Sequence, residues 1–172
     1  MYFKSFFLLG LVLFGQYDCT DSDEGGEDSE GMFFRKDINF ASVKAGAIIL
    51  QSAPGSKGFD NLLNDDKDKY GRTEITNKEK WVVIGLSEHV LIRSVVMVSY
   101  EKFCSQVKDF QVFSSVNHPV TEWHDLGVYR AKPILGEQEF VLTQPAWGRY
   151  LKFKFLSEYG GDTYFFTLSQ IR

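Results

Sequence analysis

Apolar and polar residues alternate along most of the chain that follows Phe33. In Tyr150, Leu151, Lys152, Phe153, Lys154 and Phe155 the period is two, which predicts a strand with one buried face. Trp81–Leu86 and Val90–Tyr100 are rich in Val and Ile, whose branched side chains suit a pleated, packed surface, and read as two further strands. Ala45–Gln51 is an apolar run of strand length ended by Ser52, Pro54 and Gly55. Gly58–Asp66 predicts a short helix, because Phe59, Leu62 and Leu63 fall on one face, and the charged stretch Asp65–Lys80 reads as a loop. Val107–Ser114 alternates too, yet Val107, Phe110 and Val112 cannot share a face of a regular strand, which predicts an irregularity near Asp109. A turn at Asn117–Pro119 precedes Trp123–Tyr129, a segment starting at Pro133–Gly136, then Glu139–Leu142, Arg149–Leu156 and Thr163–Arg172. Seven or eight strands, one short helix and no helix–strand alternation give an all-β fold, an antiparallel β-sandwich of jelly-roll type.

The N-terminal region has a different texture. Lys4 precedes an uninterrupted apolar run, Phe6–Gly15, and polar sequence follows, which is the layout of a signal peptide over residues 1–15. Ten apolar residues fall short of the roughly 20 that span a bilayer, so entry into the secretory pathway by this signal is the expectation, with permanent anchoring the weaker reading. Residues 16–32 read as a disordered acidic linker: seven acidic residues and no basic one lie between Asp18 and Glu30, and such a stretch cannot bury a core. The domain proper is therefore expected over 33–172. The 19 basic residues less Lys4 leave 18, and the 23 acidic residues less those seven leave 16, so beyond residue 30 the charge is near +2. No basic face for nucleic acid is expected.

Candidate chemistry is sparse. His89, His118 and His124 lack the shared spacing of a metal site, so no metal and no cofactor is expected. Cys104 has no visible thiolate-stabilising neighbour, and pairing with Cys19 would join a flexible leader to the domain. No nucleophile elbow, phosphate loop or dinucleotide fingerprint is present, and the expectation is a protein that is not an enzyme. The competing reading of an enzyme would have to use Cys104 or His124. Aromatic residues make up 16% of the chain, and those from Phe103 to Phe166 are expected mainly to fill the core.

Several strings then stand in a telling order: Asn39–Ser42 (NFAS), Leu86–Ile92 (LSEHVLI), Val107–Ser115 (VKDFQVFSS), Glu122–Gly127 (EWHDLG), Trp147–Gly160 (WGRYLKFKFLSEYG) and Leu168–Arg172 (LSQIR). In that order they resemble SUN domains, most of all the SUN-like, or mid-SUN, osteopotentia-type branch of the endoplasmic reticulum. The resemblance covers Asn39 to Arg172. It implies a galactose-binding-like (SUN/discoidin-like) sandwich, a non-enzymatic role, and residence in the endoplasmic reticulum lumen or nuclear envelope. It also implies a protein partner, a membrane protein of those compartments, within a scaffold or a protein-folding and protection assembly.

By that register the family's two cysteines fall on Ala45 and Ile75, so the disulfide they imply is missing here. The family tyrosine that helps hold the terminal carboxylate of a KASH peptide falls on Phe165, beside Tyr164; a phenyl ring has no hydroxyl donor, which counts against a KASH-type partner. Tyr164, Phe165 and Tyr159 are the expected partner-binding residues. Arg149, Trp147, Tyr150, Trp123 and Asp109 are expected to be structural, with the Arg149 guanidinium bonding several loop carbonyls. The alternative is a secreted, discoidin-like glycan-binding module, whose mark would be aromatic rings with Asn, Asp or Arg in an open groove.

Overall fold

The computed structural model describes residues 38–160 and 163–172. The signal peptide, the acidic linker and Cys19 lie outside the described residues. Eight strands form: β1 Ile48–Ser52, β2 Gly71–Glu74, β3 Trp81–Ser99, β4 Val107–Ser115, β5 His124–Arg130, β6 Gly136–Glu158, β7 Phe165–Leu168 and β8 Gln170–Ile171. Two short 3-10 helices, η1 Val43–Ala45 and η2 Phe59–Leu63, complete the described elements. The larger sheet has the order β1-β3-β6-β4-β5 with β8 added to β3, and β2-β7 forms a second, two-stranded sheet; all these pairings are antiparallel.

The layers meet through aromatic and aliphatic side chains that the period-two pattern turns inward. Phe153, Phe110 and Phe166 are fully buried, and Phe155 of β6 lies 5.0 Å, ring to ring, from Phe166 of β7. Phe110 meets Phe140 edge-on at 4.9 Å, an arrangement favoured by the ring quadrupoles. Helix η2 closes one side of this core with Phe59, Leu62 and Leu63, the three residues that share its predicted face.

Several sequence expectations are corrected. The charged stretch Asp65–Lys80 contains β2, because Gly71 and Thr73 are buried against β7 while Arg72 and Glu74 point outward. Trp81–Leu86 and Val90–Tyr100 belong to one strand, β3, whose pairing with β6 lapses between Gly85 and Val90. Glu139–Leu142 and Arg149–Leu156 likewise belong to the single strand β6, which begins at Gly136 and not at Pro133. Pro145 has no N–H to give a ladder, and pairing skips from Val141 to Ala146 there. The predicted helix is of 3-10 type and is joined by a second such turn at Val43–Ala45. The irregularity near Asp109 is present as a register shift on both sides of that residue, which lets Val107, Phe110 and Val112 all face the core. Phe103 and Trp147, expected among the core aromatics, are instead 88% and 62% exposed.

Candidate functional site

The pairing of β4 with β6 decides which side chains can act together. It runs from Val107 opposite Glu158 to Ser115 opposite Tyr150. Eight residue steps of strand separate those ends by about 25 Å. Tyr159, Phe165, Tyr164 and Asp109 therefore lie toward one end of the sandwich. Trp123, Trp147, Arg149 and Tyr150 lie toward the other, so the eight sequence-predicted residues divide into two sets.

At the first end, β7 is held from two sides where it emerges. The Ile75 N–H donates to the Tyr164 carbonyl at 3.1 Å, and the Ser105 N–H donates to the Phe165 carbonyl at 3.1 Å. Behind Ile75, the buried Lys80 ammonium donates to the carbonyls of Ile75 (3.0 Å) and Asn77 (2.8 Å) and lies 3.5 Å from Glu158 Oε1. The backbone is thus braced while the Tyr164 ring projects into solvent, 86% exposed. Phe165 is half-buried, with the Arg72 guanidinium 4.7 Å from its ring centre. Tyr159 is occupied otherwise: its hydroxyl donates to the Ala131 carbonyl at 2.7 Å and its N–H to the Gln106 carbonyl at 2.9 Å, which makes it a strut. Phe103 was missed as a surface residue; it and Tyr164 each stand two residues before a partner of the Ser105–Phe166 bridge. Its place after Glu101 and Lys102 was the available signal.

Asp109 accepts from Arg130 Nε at 2.7 Å and from the Ser157 hydroxyl at 2.7 Å. Those two hydrogen bonds, Arg130 first, hold its carboxyl below the ordinary value of 3.8. It joins β4, β5 and β6 and is committed to the fold.

At the second end, the β4–β5 loop and the Pro145–Trp147 stretch of β6 enclose an open groove of about 560 Å³. Trp123, Trp147, Asn117, Glu122, His124 and Asp125 are among its lining residues. Asp125 is spent on the fold, accepting from Gln111 Nε2 and from the Gly127 N–H, each at 2.8 Å. Trp123 is half-buried with the Lys152 ammonium 5.9 Å from its ring centre, and the same ammonium lies 5.3 Å from Trp81. Arg149 and Tyr150 line a smaller hollow of about 200 Å³ with His118 and Leu86. Arg149 reaches one carbonyl, that of Leu86 at 3.4 Å, rather than several, and its guanidinium lies 5.8 Å from the Tyr150 ring centre.

Neither end assembles a reactive set. Cys104 is half-buried, and His124 sits in the groove among carboxylates and hydroxyls. Among the described residues no group of three potential ligands could hold a metal ion.

Comparison with known proteins gives this geometry a family. Residues 53–172 match the model described as Sad1 / UNC-like C-terminal. SUN domain-containing protein 4 of Arabidopsis thaliana is 36% identical over 129 residues, covering 75% of this chain and 22% of that protein. The SUN domain-containing ossification factor of Homo sapiens is 30% identical over 158 residues, covering 88% of this chain and 12% of that protein. The chain thus spans less than a quarter of the length of these relatives. In fold it is similar to a putative chitobiase fragment from Bacteroides thetaiotaomicron (TM-score 0.66, 12% identity, 81% of this chain and 93% of the other). It is also similar to CBM32-3, from a family 31 glycoside hydrolase of Clostridium perfringens (TM-score 0.64, 11% identity, 73% and 88%). These neighbours establish the galactose-binding-like jelly roll, and the family match establishes that the chain belongs to the Sad1/UNC-like SUN domain family.

Proposed function

We propose that this domain is a non-catalytic SUN-like module that binds a protein partner in the endoplasmic reticulum lumen or perinuclear space, within a membrane-associated scaffold or a protein-folding and protection assembly. The observation that carries the reading is Tyr164: a large ring left in solvent at the start of a strand whose backbone is braced on both sides. A backbone held in that way leaves only the side-chain torsions to be ordered on docking, and exposed aromatic anchors dominate protein interfaces. Phe103 and Phe165 extend the same surface. Phe165 offers no hydroxyl to a terminal carboxylate, so the partner is read as an apolar or amphipathic segment rather than a KASH-type end. The lumenal location rests on the apolar run Phe6–Gly15 behind Lys4.

The test is crosslinking and capture from microsomes with the full chain and its Tyr164→Ala variant. The expected outcome is a membrane-protein partner recovered by the parent chain and lost by the variant, with equal melting temperatures. Equal capture by both, or a parent chain found only free in the medium, overturns the reading.

A further inference from the structure

We propose that the groove between the β4–β5 loop and Pro145–Trp147 is a binding site for a neutral saccharide. It is independent of the Tyr164 surface, since it lies at the opposite end of the sandwich.

Three observations converge on that ligand. First, Trp147 presents an indole that is 62% exposed on the groove wall, although it lies in a strand where an apolar side chain of that size is ordinarily buried. A flat apolar ring matches the C–H face of a pyranose. Second, the groups around it are mixed donors and acceptors with no other engagement. The side chains of Asn117, Glu122 and His124 make no hydrogen bond among the described residues, and all three are exposed. Ser114, although it borders the groove, turns its hydroxyl into the core side of β4, where it is closed off from solvent and takes no part in the site. Gly148 sets how close Ser114 comes to β6: a Cβ there would stand 3.0 Å from Ser114 Cβ and 2.9 Å from Ile92 Cδ1. Third, the charge of the lining selects against the alternatives. It holds two carboxylates, Glu122 and Asp125, and no Lys or Arg, which disfavours an anionic ligand such as a phosphate or a sialylated sugar. A cationic ligand would find one carboxylate free of hydrogen bonds among the described residues, Glu122, since Asp125 already accepts from Gln111 and the Gly127 N–H, and one free indole, since Trp123 already carries the Lys152 ammonium. One stacking face flanked by an amide, a carboxylate, an imidazole and hydroxyls is the chemistry that recognises sugar hydroxyls.

The chain has three tryptophans, so labelling with 15N-tryptophan gives three indole signals to follow. The full chain is titrated with galactose, N-acetylgalactosamine, glucose, N-acetylglucosamine and mannose, and separately with tetramethylammonium and inorganic phosphate. At least one sugar is expected to shift the Trp147 signal saturably, with a Kd on the order of millimolar, while Trp81 stays in place. Trp147→Ala should weaken that sugar about tenfold or more, followed by intrinsic fluorescence of the remaining indoles, and Trp147→Phe should recover part of the loss. Asn117→Ala, on the exposed loop, should weaken binding without changing the melting temperature, and Tyr164→Ala should bind sugar as the parent does. Failure of every sugar to move Trp147, a response to tetramethylammonium or phosphate in their place, or unchanged affinity in both Trp147→Ala and Asn117→Ala overturns the assignment.

Discussion

Arg149 is the one β6 residue set against four residues of β3, Leu86–His89, that leave the ladder, and its Nε donates to the Leu86 carbonyl at 3.4 Å. The excursion is also tied at its far side, where His89 Nε2 donates to the Val116 carbonyl at 2.9 Å. Val116 opens the β4–β5 loop, so these two contacts connect the break in β3 to the wall of the groove. The guanidinium thus stands in for a lost ladder bond.

Arg149→Ala should therefore lower stability by about 1 kcal/mol, because the bond is long and only half-buried. In a domain of this size that is a drop of about 2–5 °C in melting temperature. The check is a thermal melt beside the capture experiment. An unchanged melt with weakened partner capture would move Arg149 from the fold to a docking surface.

Lys80 is expected to matter more. Its ammonium is buried on two loop carbonyls, and Ile75, one of them, holds Tyr164 through its N–H. Lys80→Met keeps the stem and leaves both carbonyls without their donor, for a loss of about 2–4 kcal/mol by urea denaturation. Partner capture should fall with it even where the protein remains folded, since the brace behind Tyr164 is gone. Full capture by folded Lys80→Met protein would show that the brace is dispensable.

Gly71 stands where β2 meets η2, and a Cβ built there would lie 2.5 Å from Phe59 Cδ1. Gly71→Ala should overpack this contact and cost about 1–3 kcal/mol, whereas Gly160→Ala, where a Cβ would meet nothing within 4 Å among the described residues, should be nearly neutral. Comparing the two urea midpoints tests whether the close approach of η2 sets the choice of glycine. Equal midpoints would refute it.

Gly71 also shows why part of the fold was illegible in the sequence. Strand β2 is four residues long inside a charged stretch, and its pairing with β7 joins residues 71–74 to 165–168, a contact no local pattern can announce. Long β3, β4 and β6 were legible because branched and aromatic side chains repeat there at period two, and even the Asp109 irregularity was visible as a break in that period. Continuity of β3 and β6 was hidden, since Ser87–His89 and Gln144–Pro145 are polar or ladder-breaking and read as interruptions. For the candidate sites, the resemblance to SUN domains singled out Tyr164 and Trp147 but not their exposure. The groove joins residues 114–125 to 145–147, and that proximity depends on how β4 and β6 pair rather than on either segment alone.

Asp109 gives a prediction in pH. Its carboxyl is held below 3.8 by Arg130 and Ser157, so the folded state binds its proton less readily than the unfolded chain. That stabilisation is fully present above the ordinary value and is lost as pH falls through the lower, folded value. Asp65 and Asp66 are held low as well, by Lys44 in the first case and chiefly by the Asp68 N–H in the second, so the parent protein should lose stability progressively below about pH 4. Asp109→Asn removes one of the three contributions. The variant should be less stable than the parent at neutral pH, and the gap should narrow as both are taken below about pH 4. Urea midpoints across that range decide it: two curves that stay parallel down to the acid limit would mean that the Asp109 carboxylate does not hold the β4, β5 and β6 strands together through its charge.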